Sequence, residues 1–474
     1  MNRTRIVCTI GPRSLSDSIL NELRAAGLGI ARLNGSHADL EWHRDAIARI
    51  KRALPDVPIL LDIPGRKIRT AQLAHEPSFE RGGTIVLTTA GDDAGGAKVL
   101  VNYADLHADL RVGNTILADD GTLRFTVLRV EGRDIHCRAE TAGTLRSRKG
   151  INVPFVKLNT PQVTPRDERM IAFARDAGVD FIGLSFVESA GHVAAFRDLI
   201  GRSWPRIVAK VENQGGMDHV EEIAEAADAL MVDRGDLSVE TTLHDVALRQ
   251  KRIITAARRF GRPVIVATEM LHTMIQNSFP TKAEVSDITN AVLDGCAATM
   301  LSGETAVGAF PVEAVRLMRE VADAAESHAQ DGLDTGVPVL GTTVPEVLGR
   351  VIPMMCRALP ITKIVAVTRS GFAARMIAVH RPRQPILAVS DDEAAARSFN
   401  LIAGTTGVHS KMLFPRSSMD HIGQVLEMLW RRGLLVAEDL VLTTGIIYPH
   451  AGSRMNALQV NRVSDLVESQ GWRR

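Results

Sequence analysis

Eight short, apolar, β-branched runs separated by stretches of helical periodicity constrain this chain more than any other feature. They are Arg5–Ile10, Gly29–Leu33, Pro58–Ile63, Phe181–Val187, Arg206–Val211, Ala229–Val232, Pro263–Thr268 and Ala298–Leu301. Most are continuous rather than alternating in polarity, as expected of strands buried on both faces of a parallel sheet. Helix-like patterns such as Glu221–Asp228 and Leu248–Phe260 fill the intervals. Eight such units close most economically into a (β/α)8 TIM barrel, an α/β fold.

The spacing breaks once, between Ile63 and Phe181. That insert carries strand candidates such as Thr84–Thr89 and Leu123–Val130, punctuated by Gly82-Gly83, Gly95-Gly96 and Asp120-Gly121. It reads as a small all-β module hung on a barrel loop. After about Gly341 a second β/α alternation begins with Lys363–Thr368, Pro385–Val389 and Leu440–Thr444. The expected organisation is a barrel over residues 1–69 and 157–340, an inserted β lid over 70–156 and a C-terminal α/β domain over 341–474. A length of 474 residues suits about three domains.

Composition excludes some partners. Lys and Arg number 56 against 55 Asp and Glu, without blocks of like sign, so there is no electrostatic footprint for nucleic acid or a membrane surface. Cys8, Cys137, Cys296 and Cys356 lie far apart and form no CxxC pair, which argues against disulfides and thiolate zinc. The apolar run near the N-terminus is too short for a signal-peptide core, and no later run reaches 18 apolar residues. A soluble protein of the reducing cytoplasm is expected.

In such barrels the reacting groups sit at the carboxyl ends of the strands. There the chain places Arg32, Asn34 and Ser36; Asp62; Ser185; Lys210 and Glu212; Arg234 and Asp236; Thr268; Ser302 and Glu304. Glu212 and Asp236, on neighbouring strands, are hard oxygen ligands suited to Mg²⁺ or Mn²⁺. With the positive charge of Arg32 and Lys210 beside them, they make a pocket for a multiply charged phosphate, where phosphoryl transfer needs mainly positioning and charge neutralisation.

Simpler readings exist for each residue. Lys210 and Glu212 could form an interior ion pair, Asp236 could cap a helix, and Ser302-Gly303-Glu304-Thr305 is a good capping sequence. Thr268 alone suits a buried hydroxyl bonded to backbone, and His37 and His43 have no ligand-like partner. Gly303–Gly308 has Walker-type glycine spacing but continues into Ala309-Phe310, and neither GxGxxG after a strand nor GxSxG occurs.

Taken together, the strand-end motifs resemble the pyruvate kinase family over essentially the whole chain. The matching stretches are Thr4–Ser14 (TRIVCTIGPRS), Ala31–His37 (ARLNGSH), Lys67–Thr70 (KIRT), Ala118–Leu123 (ADDGTL) and Arg148–Pro154 (RKGINVP). Further along come Ala209–Asn213 (AKVEN), Met231–Leu237 (MVDRGDL), Ala267–Leu271 (ATEML), Pro280–Gly295 (PTKAEVSDITNAVLDG) and Met300–Val315 (MLSGETAVGAFPVEAV).

The resemblance implies a barrel, lid and C-terminal regulatory domain assembled as a homotetramer, moving the phosphoryl group of phosphoenolpyruvate to ADP in glycolysis. By motif position Glu212 and Asp236 would bind Mg²⁺ or Mn²⁺, Lys210 would stabilise the transferring phosphoryl group and the enolate, and Arg32 would hold phosphate. Backbone amides around Arg234, Gly235 and Asp236 would receive the substrate carboxylate with Thr268, which also falls on the proton path. Asn34, Ser36, Asp62 and the Ile63 carbonyl match monovalent-cation ligands, while Asn34, His37, Arg69 and Lys149 match nucleotide contacts.

Lys67 stands where the family commonly has Glu, and a tethered ammonium there would supply the charge of a bound potassium ion, so potassium independence is expected. Asp233 replaces a usual Ala, Glu269 a usual Gln, and Gly35 a usual Phe, which would open space near the anion site. Thr368-Arg369-Ser370-Gly371 resembles the sugar-phosphate effector loop, but Phe372-Ala373-Ala374 lacks its completing hydroxyl, so a weakened or changed effector response is expected. Two alternatives keep part of the pattern: a relative acting on a different enol phosphate, or a catalytically silent metabolite sensor.

Overall fold

The computed structural model describes residues 3–91, 98–201, 204–329, 343–414, 420–445 and 455–473. Gly95-Gly96 and Gly341 lie outside them. Eight parallel strands, Arg5–Thr9, Leu28–Asn34, Ile59–Ile63, Phe181–Leu184, Arg206–Val211, Ala229–Asp233, Val264–Ala267 and Ala298–Leu301, close a barrel in which chain neighbours are sheet neighbours. The strands carry β-branched and aliphatic residues because both faces are covered. Val7, Ile30, Leu60, Val208, Met231 and Ile265 fill the interior, and the alternate residues pack against the outer helices. Leu401 of the C-terminal domain joins the interior cluster.

Strand limits differ from expectation where the chain turns to serve the site. The run expected as Phe181–Val187 leaves the sheet after Leu184, and Phe186 takes a positive φ of 55° while its amide donates to Glu212 Oε2 at 2.6 Å. The run ending at Thr268 stops at Ala267, because Thr268 and Glu269 both adopt left-handed backbone, at φ 69° and 55°. That conformation is unfavourable for a β-branched residue and is held by its surroundings.

The inserted module is a seven-stranded sheet whose order begins with Ile68–Arg69, Gly150–Asn152 and Thr115–Ala118. The expected strands appear in it as Thr84–Thr88 and Leu123–Glu131. It is not purely β: Leu106–Asp109 forms one helical turn. Its own core includes Leu87, Phe125 and Ile135. The C-terminal sheet orders Thr405–His409, Ile386–Ser390, Lys363–Val367, Leu440–Gly445 and Ala457–Arg462, the last antiparallel. Among the described residues no helix is long and apolar enough to cross a membrane.

Candidate active site

Alternation along the barrel strands decides which charges meet. Two residues beyond the interior positions Ile30, Leu60, Val208 and Met231 stand Arg32, Asp62, Lys210 and Asp233. All four therefore point to the barrel axis at its carboxyl end. Arg32 donates through Nε and one terminal nitrogen to Asp62 Oδ2 at 3.0 and 2.7 Å, and through the other to Thr9 Oγ1 at 2.9 Å. The Asp62 carboxylate lies against Gly183, where any Cβ would fall 2.0 Å from Oδ1.

Lys210 is the hub. Its Nζ lies 2.5 Å from Glu212 Oε1, 3.0 Å from Asp233 Oδ2 and 3.7 Å from Asp62 Oδ2, and it donates to Ser185 Oγ at 3.2 Å. The Lys210 and Glu212 side chains are 6% and 0% exposed, so these charges meet in a low-dielectric interior. Burial by itself would lower the Lys210 pKa, but Glu212, Asp233 and Asp62 outweigh it and hold the amine firmly protonated. Burial pushes Glu212 up, against the pull of Lys210. The expected ion pair between Lys210 and Glu212 is thus present, as one contact of a larger cluster.

Lys67, on the approach to the lid, completes the cluster from above. Its Nζ is 2.6 Å from Asp236 Oδ1, and Asp236 keeps its pKa-raising hold on that amine in spite of burial. One oxygen from each of Glu212, Asp233 and Asp236 lies within 4.8 Å of the others, a spacing suited to a divalent cation. Glu212 Oε1 is buried with no donor aligned on it, Lys210 approaching off the hydrogen-bond axis. Acceptor-only oxygens with spare capacity are what Mg²⁺ or Mn²⁺ requires.

Beside the cluster, Thr268 Oγ1 donates to the Ala267 carbonyl at 2.6 Å and accepts from the Gly235 amide at 2.8 Å. The backbone-bonded hydroxyl expected of Thr268 is therefore observed, and it already engages one of the amides expected to face a substrate carboxylate. Arg234 turns away from the pocket, donating to Asp287 Oδ2 and the Thr268 carbonyl. Asp236 is not a helix cap. It sits in the first turn of Arg234–Glu240, whose capping position is Asp233, and Asp233 makes no capping bond because its carboxylate serves Lys210.

Other expectations fall elsewhere. Asn34 Oδ1 accepts from the Ser36 amide at 3.1 Å, closing a tight turn directly after the second strand, and Ile63 ends the third strand fully buried. Burial lowers the pKa of His37, with Arg69 and Arg32 adding to the effect. Arg69 donates to the Arg148 carbonyl on the lid, and Lys149 pairs with Asp119 at 2.7 Å, outside the charged cluster. Gly35 does not open space. A Cβ there would lie 2.4 Å from the Asp62 carbonyl and 2.7 Å from the Met170 methyl, so the turn is packed shut. Ser302 makes no cap bond; instead the Glu304 carboxylate accepts from the Ser302 and Leu271 amides.

Asp233, expected as an extra carboxylate where a small residue is usual, is paired with Lys210. Glu240, Arg66 and Glu188 escape a reading of strand-end residues. Glu240 accepts from Asn152 of the lid at 2.6 Å, and burial raises its pKa to about 7, with Asp236 adding to the shift. Arg66 pairs with Glu188 at 2.9 Å across a cleft of about 530 Å³ between lid and barrel. No short motif signals Glu240 or Glu188.

Comparison with known proteins agrees with this geometry. Residues 1–315 match the family model described as "Pyruvate kinase, barrel domain", and residues 351–461 match "Pyruvate kinase, alpha/beta domain". A pyruvate kinase of Bacillus licheniformis is 38% identical over 98% of this chain and 81% of its own length. One from Geobacillus stearothermophilus is 39% identical over the same shares. The crystal structure of a pyruvate kinase from Cryptosporidium parvum superposes with a TM-score of 0.89 at 31% identity, covering 98% of this chain and 96% of that one. With its barrel, lid and C-terminal sheet matched in order, the chain belongs to the pyruvate kinase family.

Proposed function

We propose that the buried cluster around Lys210 is the machinery by which this enzyme moves the phosphoryl group of phosphoenolpyruvate to ADP, the pyruvate- and ATP-forming step of glycolysis. The observation that carries the assignment is one ammonium facing three carboxylates at the barrel mouth. In the reaction the bond from phosphorus to the enol oxygen breaks, and a bond to a terminal oxygen of ADP forms. The enolate then takes a proton at its methylene carbon.

Glu212 and Asp236 would hold the divalent ion that the family uses, Mg²⁺ or Mn²⁺, which supplies positive charge against the phosphate oxygens. Lys210 neutralises charge on the moving phosphoryl group and on the enolate oxygen, with fixed orientation that needs no rearrangement during reaction. Arg32, braced by Asp62 and Thr9, holds a second phosphate edge. Substrate carboxylate displaces the Thr268 hydroxyl from the Gly235 amide and takes the amides of Gly235 and Asp236. The freed Thr268 hydroxyl then lies on the proton path. Asn34, His37, Arg69 and Lys149 line the approach for ADP phosphates.

Lys67, held on Asp236, supplies the charge that a monovalent ion on Asn34, Ser36, Asp62 and the Ile63 carbonyl would otherwise bring, which makes the enzyme potassium-independent. The lid closes over residues of the barrel mouth, and the C-terminal domain is regulatory. Four copies assemble in the cytoplasm, without nucleic-acid or membrane partners. The central test measures ATP formed from phosphoenolpyruvate and ADP with Mg²⁺. Lys210→Met is expected to lower kcat by about 10²–10³-fold, the order of loss on removing one preorganised donor. Turnover surviving that substitution removes the assignment.

A further inference from the structure

The reading above gives the divalent ion two carboxylates, but the geometry points to a third. We infer that Asp233 is a direct ligand of the divalent ion, bridging it to Lys210, and that the ion consequently binds before the anionic substrate. Asp233 ends the strand Ala229–Asp233 on its inward face, buried, with one oxygen 3.0 Å from Lys210 Nζ. A carboxylate with one oxygen on an ammonium keeps the other free for a metal. Its ligand atom lies within 4.8 Å of those of Glu212 and Asp236. A six-coordinate ion with ligands at about 2.1 Å holds adjacent oxygens roughly 3.0 Å apart, so binding draws these three oxygens, already within 4.8 Å of one another, together around it.

Charge explains the order. Asp62, Glu212, Asp233 and Asp236 face Arg32, Lys67 and Lys210 in one cluster, four carboxylates against three cations. A phosphate and a carboxylate entering that cluster first meet an excess of negative charge. The ion reverses the balance, and Asp233 both raises affinity for the ion and makes substrate binding depend on it.

The inference rests on Glu212 and Asp236 being ligands, and the test separates the two. Mn²⁺ binding to the substrate-free protein is measured from the electron paramagnetic resonance signal of the free ion, and the waters on bound Mn²⁺ are counted by water-proton relaxation. Three protein carboxylates leave about three waters on a six-coordinate ion, and two leave about four. The wild type is expected to show the smaller number, a result independent of whether any variant folds. In Asp233→Asn the dissociation constant is expected to rise at least about tenfold, with one water gained. Weaker binding without an added water assigns Asp233 to Lys210 alone and overturns the inference. Unchanged binding in Asp233→Asn while Glu212→Gln weakens it overturns this inference only. Unchanged binding in Glu212→Gln overturns the metal-site reading as well.

Discussion

The barrel mouth and the carboxyl end of the C-terminal sheet are built from the same kind of unit, yet they treat charge in opposite ways. In the barrel, closure brings strand ends from all sides to one axis, and Arg32, Asp62, Lys210, Glu212 and Asp233 meet there away from water. The C-terminal sheet is open, so its strand ends lie along a line and each charge pairs with the neighbouring loop. Arg369, 50% exposed, donates to Asp391 at 3.1 Å and to the Phe414 carbonyl at 2.7 Å. The Phe414 amide returns a bond to Asp391 at 3.0 Å. A closed sheet thus accumulates buried charge with spare bonding capacity, which a ligand must complete. The open sheet completes its own.

The sharpest way to break this contrast is to remove the anchoring carboxylate from each region. Asp62→Ala leaves Arg32 without its main acceptor and removes a charge facing Lys210, so kcat/KM for phosphoenolpyruvate is expected to fall about 10²–10³-fold. Asp391→Ala is expected to change kcat and KM in the absence of effector by less than about twofold, with a fall in Tm of a few degrees. Steady-state kinetics and thermal unfolding of the two variants decide it. Equal kinetic losses would sink the comparison.

That contrast also marks what could be read in the chain before its structure. The barrel was legible because parallel strands buried on both faces read as continuous apolar runs. The positions of Arg32, Asp62 and Lys210 followed from strand ends. Asp233 showed as a departure from a usual Ala, and alternation past Met231 puts it on the barrel axis. What stayed hidden depends on tertiary contact: the tight packing of Gly35 on the Asp62 carbonyl and Met170, the left-handed backbone at Phe186 and Thr268, and the reach of Lys67 to Asp236 and of the lid residue Asn152 to Glu240. None of these has a local period or motif. The capping sequence at Ser302 misled for a related reason, since the Glu304 carboxylate joins it to Leu271, a residue distant in the chain.

Lys67 tests whether the barrel mouth is complete in cations by itself. Its ammonium already sits inside the cluster on Asp236. Wild-type activity in potassium-free buffer is expected to rise by less than tenfold on adding potassium. Lys67→Glu is expected to lose about tenfold or more in potassium-free assays and to recover with potassium. A large potassium response in the wild type contradicts this account of Lys67.

A smaller effect concerns the C-terminal loop. Because Arg369 is engaged by Asp391 and Phe414, and Phe372-Ala373-Ala374 offers no hydroxyl, a sugar bisphosphate gains little there. Fructose 1,6-bisphosphate is expected to shift half-saturation by phosphoenolpyruvate less than about twofold. A strong shift means that the self-pairing of this loop yields to ligand, which would narrow the difference between the two regions.

The smallest expected effect lies where the two regions join. His380 follows the C-terminal helix Phe372–Ala378, near Arg258 of the barrel helix Val246–Arg259, which donates to the adjacent Val379 carbonyl. Burial, then Arg258 and Arg350, lowers the His380 pKa to about 4 from an ordinary value of 6.5. The unfolded chain therefore takes up this proton before the folded one does. Stability from a neutral His380 is complete above about pH 6.5 and is lost as pH falls from there toward 4. Tm is expected to drop between pH 7 and pH 5, and His380→Gln, which cannot be protonated, is expected to flatten that slope by roughly 1–3 °C. His192, lowered to about 4 mainly by burial in the barrel helix Ala190–Ile200, contributes a slope of the same sign. Comparing His380→Gln with His192→Gln by thermal unfolding across this range shows whether acid weakens the joint or the barrel first. If only His192→Gln flattens the slope, protonation acts within the barrel, and the joint tolerates acid better than the barrel does.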